Sequence, residues 1–343
     1  MPRPHLQHLF NDLNRRPDAG MRVESMAPAC PVEGFIDGHV DILYEMMRNS
    51  QGISLSCLKN LPVTLDKIHA GRVKIIVAAI YCADAFNGAC TAAAHLRTLL
   101  DYASTYLEGL APIRSARDLM LSCSGKRPPG TIFLIENSDA LLETDPGQLK
   151  QSGIRVAGLT HAGKNRIADG NSVSNPRGLT PQGFALLRRL DIEGFALDLA
   201  HLSDPAFSQV LDIFHGPLLS SHTGFRRFYD VPRNLSDEQL RLLVQRGGIV
   251  GVAFNPEMLS NTGTASIYDV FHHIDHVVQR WGPDHAAIGS DFCGYDLENS
   301  GLEDISKLPN LASLMEAKGY PSEAIEKIMG GNWARFYSML FSG

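Results

Sequence analysis

Eight apolar runs of β type recur along the chain, trailed by stretches whose apolar residues repeat with helical spacing. In order they are FIDGHVDIL (35–43), VKIIVAAIYC (73–82), TIFLIEN (131–137), IRVAGLTH (154–161), FALDLAH (195–201), PLLSSH (217–222), GIVGVAF (248–254) and HAAIGSDF (285–292). They are near-continuous rather than alternating, the pattern of a parallel sheet covered on both faces. Helical stretches fill the gaps: TAAAHLRTLLDYASTYLEGL, TPQGFALLRRLDIEG, DPAFSQVLDIFHG, SDEQLRLLVQRGG and IYDVFHHIDHVVQRWG. Several open on a capping residue, such as Thr180, Ser203 or Ser236. Eight strand–helix units predict an α/β fold, a (β/α)₈ TIM barrel, rather than a doubly wound sheet. The latter would carry a glycine-rich phosphate turn after its first strand, a form that Gly34 to Gly38 does not have. Two more helical patterns beyond Leu302, LPNLASLMEAKG and PSEAIEKIMGGNWARFYSML, predict extra C-terminal helices closing the outer ring.

Residues 31–343 are expected to form one such domain, and the polar, proline-dotted residues 1–30 an N-terminal extension along its outside. With 44% hydrophobic and 20% charged residues, the chain has ample material for a core. A net charge of -6 without any basic block points away from nucleic acid and from anionic membranes as partners. Six cysteines without a CxxC pair suit reduced thiols. No signal-peptide core and no 18-residue apolar run occurs, so a soluble, cytoplasmic protein is expected.

Barrel enzymes place their chemistry at the C-terminal ends of the strands. Those ends here carry His39 and Asp41 on the first run, Glu136 on the third, His161 on the fourth, His201 on the fifth, His222 on the sixth and Asp291 on the eighth. His39 and Asp41 are two apart, which on a strand aims both at one space. Each residue has an ordinary reading by itself: a strand-end charge, a loop cap, a satisfied polar group. Six of eight ends carrying an imidazole or carboxylate is a pattern that those separate readings do not explain. Such a set converging on one mouth is the composition of a two-metal site, and metal-assisted hydrolysis is its reaction class.

His272 and His276 share a helix face at a spacing that can bind zinc, but no catalytic glutamate stands beside them. They and the remaining histidines are expected to be surface or packing residues. Arg233, with Asn234, lies in a loop beyond the sixth run, where a guanidinium could grip a substrate carboxylate or simply pair with Asp230 and Asp237.

The stretches DGHVDIL, LDKIHAGRVKIIVAAIY, FLIEN, LTHAGKNRIADG, LDLAHLSD, SSHTGFRRFYDVPRNLSDEQL, RGGIVGVAFN, AIGSDFCGYDLENSGLEDISKLPNL and GGNWARFY form an ordered set. With them the chain resembles the membrane (renal) dipeptidase family of amidohydrolase-type barrels over about residues 34 to 337. The resemblance implies a zinc-dependent dipeptidase that hydrolyses the amide bond of a small dipeptide through a metal-bridging hydroxide. It implies two Zn²⁺ ions, one on His39 and Asp41, the other on His201 and His222, with Glu136 between. It makes His161 a catalytic and substrate-binding group, Arg233 the substrate anchor and Asp291 the proton carrier; Asn234, next to Arg233, is expected to share in binding the substrate. Family members are often dimers, which leaves a homodimer open. Departures fall beside the ligands: Val40 and Leu43 where the family reads DGHNDLP, Asn137 where it has glycine, and Cys293 in place of the second aspartate of DFDG. They keep two alternatives in play, a divergent enzyme for another small amide, lactone or biosynthetic intermediate, and a non-catalytic barrel. A buried, inert thiol is the expectation for Cys293.

Overall fold

The structure, a computed structural model, describes residues 31–342; the expected N-terminal extension falls outside the described residues. Eight parallel strands form the barrel: β1 (Phe35–Val40), β2 (Val73–Tyr81), β3 (Gly130–Glu136), β4 (Val156–Gly158), β5 (Ala196–Asp198), β6 (Leu218–Thr223), β7 (Ile249–Val252) and β8 (Ala286–Ile288). Each pairs with the next in chain order. β8 returns to β1 just past its own end, where Val40 bridges Phe292, Asp291 N donates to His39 O at 3.0 Å and Asp41 N to Phe292 O at 2.8 Å. The chain is a (β/α)₈ barrel with further helices at its C-terminus.

The apolar runs are continuous because both faces of every strand are covered. In β2, Ile75, Val77 and Ala79 join the inner cluster with Ile36, Ile132, Leu134, Leu219 and Ile249. The alternate residues Ile76, Ala78 and Ile80 join the outer cluster beneath the helices. Five long helices fall where their periodicity places them: Thr91–Tyr106, Pro181–Ile192, Asp204–Ile213, Asp237–Gln245 and Ile267–Trp281. Thr180 caps its helix by accepting from Gly183 N, and Ser236 forms a reciprocal capping box with Gln239. Ser203 makes no side-chain cap bond, so its helix starts on Pro205 geometry alone.

Two sequence expectations change. The first run does not continue as strand to Leu43; β1 stops at Val40, and Asp41 precedes the helix Ile42–Asn49. The pattern PSEAIEKIMGGNWARFYSML is not one helix but Ser322–Glu326 and Asn332–Ser342, joined by a wider turn over Lys327–Gly331. Gly330 sits so close to β1 that an added Cβ would stand 3.0 Å from Ile36 N. The last helix then presses Trp333 and Tyr337, both fully buried, against the lower end of the barrel. Trp333 Nε1 donates to Ile288 O at 2.8 Å. A Cβ at Gly38 would lie 2.4 Å from the Trp333 ring, so β1 needs glycine there.

Candidate metal centre

At the upper end, β1 and β6 each carry one residue too many for their neighbours. Asp37 to Val40 spans three steps while Ile76 to Ala78 on β2 spans two, and Ser220 to Thr223 does the same against Val250 to Val252. Such bulges re-aim side chains. Here they turn His39 and His222 toward each other, with ring centroids 3.6 Å apart. Ser221 Oγ engages both rings from behind, 3.0 Å from His39 Nδ1 and 2.8 Å from His222 Nδ1. Holding Nδ1 in this way fixes ring orientation and leaves Nε2 as the free ligand atom.

Two buried acids brace the same region. Asp198 Oδ1 accepts from Ser221 N at 2.9 Å and Ala200 N at 3.0 Å. Asp37 Oδ1 accepts from Ser290 N at 2.8 Å and His39 N at 3.3 Å. Burial pushes Asp37 up to about 6, even though the Ser290 bonds pull the other way. Just beyond β5 and β8, His201 and Asp291 take left-handed backbone angles, φ 63° and 65°. Such angles cost about 1–3 kcal/mol each and persist where neighbours over-determine them.

The ligand atoms meet above these braces. His201 Nε2 lies 3.0 Å from Glu136 Oε1 and 3.1 Å from His222 Nε2. Glu136 Oε1 is 3.8 Å from His222 Nε2, and His39 Nε2 is 3.4 Å from Asp41 Oδ2. His222 Nε2 is also 3.9 Å from Asp291 Oδ1, whose other oxygen accepts from Asn255 Nδ2 at 3.1 Å. Three triads bring their ligand atoms within 4.8 Å of one another: His39–His222–Asp291, Glu136–His161–His201 and His39–Asp41–Glu136.

The donor set suits a divalent cation. Of the ligand atoms, His39 Nε2 is buried without a hydrogen-bond partner among the described residues. Burial pushes His201 and His222 well below the usual imidazole range, with Arg233 adding to the effect in both. For Glu136, burial acts upward, but the neighbouring His201, His39 and His161 hold it below the usual carboxylate range. Neutral imidazoles and an ionised carboxylate are the protonation states in which these groups ligate metal. At His39, burial lowers the affinity for a proton, yet Asp41, Glu136 and Asp291 raise it to about 10. The field that would hold a proton there would equally hold a cation. Burial and Asp41 together raise Asp291 well above its ordinary value.

Asp41, Glu136, His161, His201, His222 and Asp291 line a cavity of about 620 Å³ at the barrel mouth, with His39 buried beside Asp41 and His222. Arg233 is the one lysine or arginine in its lining. Its Nη2 donates to His222 O at 2.9 Å, and its Nε has no partner among the described residues. His161 stands against the Tyr81 ring at 4.7 Å and the His201 ring at 4.4 Å. Asn234, expected beside the substrate, is instead buried under the loop, its amide donating to Tyr229 O and Met258 O, both at 2.8 Å. It holds the loop that presents Arg233.

His272 and His276 do not form a ligand pair: His276 Nε2 faces Asp237 Oδ1 at 2.9 Å. Other described histidines pack, bind backbone or lie at the surface, as His285 does on Gly248 O, His273 on Phe225 N and the exposed His215 beside Asp191 Oδ2. Cys293 is buried, and burial raises its thiol well above the ordinary range, the inert state expected. Sequence reasoning missed Asp37, Asp198, Ser221 and Asn255. Only the first two left a trace, an acid two or three residues ahead of a strand-end histidine. No helix among the described residues is long and apolar enough to cross a membrane.

Comparison with known proteins follows the same lines. The sequence profile of one family, membrane dipeptidase (peptidase family M19), matches residues 29–339. Dipeptidase tcpJ of Claviceps purpurea is 36% identical over 186 residues, covering 53% of this chain and 44% of that protein. Matches of this kind span about half the length of such curated relatives. The crystal structure of dipeptidase AC, a metallo peptidase of family M19, superposes with a TM-score of 0.77 at 25% identity, covering 90% of this chain and 99% of that one. A metallo peptidase from Rhodobacter sphaeroides, solved with a phosphinate mimic of the dipeptide L-Ala-D-Ala, shares the fold with a TM-score of 0.76 at 24% identity, covering 91% and 99%.

Proposed function

Because the chain belongs to the membrane dipeptidase family, peptidase family M19, we propose that it is a binuclear zinc dipeptidase. The observation that carries this reading is the meeting of ligand-type side chains from four strand ends: Asp41, Glu136, His201 and His222 line one cavity with Arg233 and Asp291, and His39 Nε2 lies 3.4 Å from Asp41 Oδ2. His39 and Asp41 would hold one ion, His201 and His222 the second, with Glu136 shared between them. Bound there, divalent ions would supply Lewis acidity, polarising the scissile carbonyl and making water nucleophilic at neutral pH.

The chain's own side chains supply the rest. Arg233 pairs its guanidinium with the terminal carboxylate of the substrate, which limits the substrate to short pieces. Asn234, by pinning the loop to Met258, keeps that guanidinium over the cavity. His161, at the cavity wall, donates a hydrogen bond to the oxygen that gains charge as the carbonyl is attacked. Asp291 accepts the proton from water and delivers it to the leaving amine, its carboxylate oriented by Asn255.

Metal analysis of the purified protein with a panel of L,L- and L,D-dipeptides tests the reading. Two ions per chain with hydrolysis of at least one dipeptide is the expected result. Two ions with no turnover across the panel would move the assignment to another small amide, lactone or biosynthetic intermediate. No bound metal and no turnover would leave a non-catalytic barrel.

A further inference from the structure

We propose that Asp84 is a positioning residue for His161, and that Asn137 locks Asp84 in that place. The inference rests on the reading of His161 as the group that touches substrate. Asp84 opens the short turn Asp84–Phe86 after β2, outside the cavity lining. Its Oδ1 accepts from Asn137 Nδ2 and from Asn87 Nδ2, both at 3.2 Å. Its Oδ2 accepts from Gly163 N at 3.0 Å and lies 3.7 Å from His161 Nδ1. The loop after β4 can close on the carboxylate only because residue 163 is glycine: a Cβ there would stand 2.6 Å from Asp84 Oδ2.

Asn137 is the hub of this arrangement. It follows Glu136 with a left-handed φ of 69°. Its Nδ2 also donates to Cys82 O at 2.6 Å and approaches Asn87 Oδ1 at 2.8 Å, while its Oδ1 accepts from Asn165 Nδ2 at 2.8 Å. The glycine that the resemblance would put here could make none of these side-chain bonds. One amide thus ties the ends of β2 and β3 to the loop that carries His161.

The consequence for His161 follows from its two nitrogens. A carboxylate beside Nδ1 accepts from that atom and fixes the rotation of the ring, and with it the direction in which Nε2 faces the cavity. The 3.7 Å separation is an ion-pair distance; a ring displacement of under about 1 Å makes it a hydrogen bond. Tyr81 and His201 bound the ring on other sides, so Asp84 settles its remaining rotation.

The test uses Asp84→Asn, Asp84→Glu and Asn137→Gly in the metal-loaded protein. Asp84→Asn should lower kcat about 10- to 100-fold, with KM moving less than about twofold and metal content unchanged. Asp84→Glu should restore part of the loss, and Asn137→Gly should show a smaller loss of the same kind. A second readout needs no activity: the Nδ1–H signal of His161 in ¹H–¹⁵N spectra, assigned by its disappearance in His161→Gln. That signal should be present in the native protein and lost or strongly shifted in Asp84→Asn. An unchanged ring signal would overturn the proposal, as would a kcat that falls only in step with metal content. If the native protein cleaves no dipeptide, the dipeptidase reading fails while the ring signal still decides the role of Asp84.

Discussion

The two ends of the barrel use the same eight strands for opposite purposes. At the lower end, Trp333, Tyr337 and Phe336 pack on Ile36, Ile75 and Ala287; Trp333 Nε1 donates to Ile288 O, and Tyr337 Oη is the one buried polar atom of these three side chains without a partner among the described residues. At the upper end, buried nitrogens stand unpaired, three carboxylates crowd together, and two backbones are strained. Complementary packing below supports an arrangement above that would be unstable without a cation. The difference teaches that stability and chemistry are separated along the barrel axis, so changes at one end should leave the other nearly untouched.

The sharpest way to break that comparison is Glu136→Gln. It should cost at least about 10³-fold in kcat/KM, roughly 4 kcal/mol of transition-state stabilisation. Neighbouring imidazoles favour the ionised Glu136 in the folded state, so the melting temperature of the metal-free protein should fall modestly; a large drop would make Glu136 a structural residue. Trp333→Ala is the converse. It should remove about 3–5 kcal/mol in denaturant unfolding, while turnover per folded, metal-loaded molecule stays near native. Loss of metal affinity in the folded fraction would show that the ends are coupled.

Gly38→Ala asks the same question more gently. The new methyl group meets the Trp333 ring, and overpacking of this kind costs about 1–3 kcal/mol. Since His39 is the next residue, a fall in metal content greater than the fall in stability would place the strain at the wrong end.

His273 is buried under the loop that leads to Arg233, where Phe225 N donates to its Nδ1 at 3.2 Å. Burial holds this imidazole down at about 3. Between the ordinary histidine value near 6.5 and that value, the unfolded chain binds a proton that the folded chain does not. Its contribution to stability is therefore complete above about pH 6.5 and declines as the pH falls, by up to about 1.4 kcal/mol per unit. In His273→Asn, unfolding free energies between pH 6 and 4 should decline less steeply than in the native protein. Parallel slopes would mean that the buried imidazole is not what titrates.

Much of the upper end was legible in the sequence because a closed barrel brings strand ends together whatever their separation along the chain. Eight apolar runs predict the barrel, and His39, Glu136, His201 and His222 follow from reading only the run ends. His39 and Asp41 do meet, but not by strand alternation: β1 ends before Asp41, and a bulge turns His39 inward. Bulges depend on register between strands and leave no mark in either strand alone. Ser221 was invisible for the same reason, since its partner His39 is 182 residues away. Asn234 was read as facing substrate because it sits beside Arg233, whereas consecutive loop residues here point opposite ways, one into the cavity and one into the loop. The break at Gly330 was hidden because the apolar periodicity continues on both sides of it.

The most direct test is a crystal structure of the zinc-loaded protein with anomalous data collected at the zinc absorption edge. The account predicts two peaks at the upper end of the barrel, one beside His39 and Asp41, the other beside His201 and His222, with Glu136 reaching both. Full zinc loading with density elsewhere, or an active enzyme with no peak among these five side chains, would contradict it.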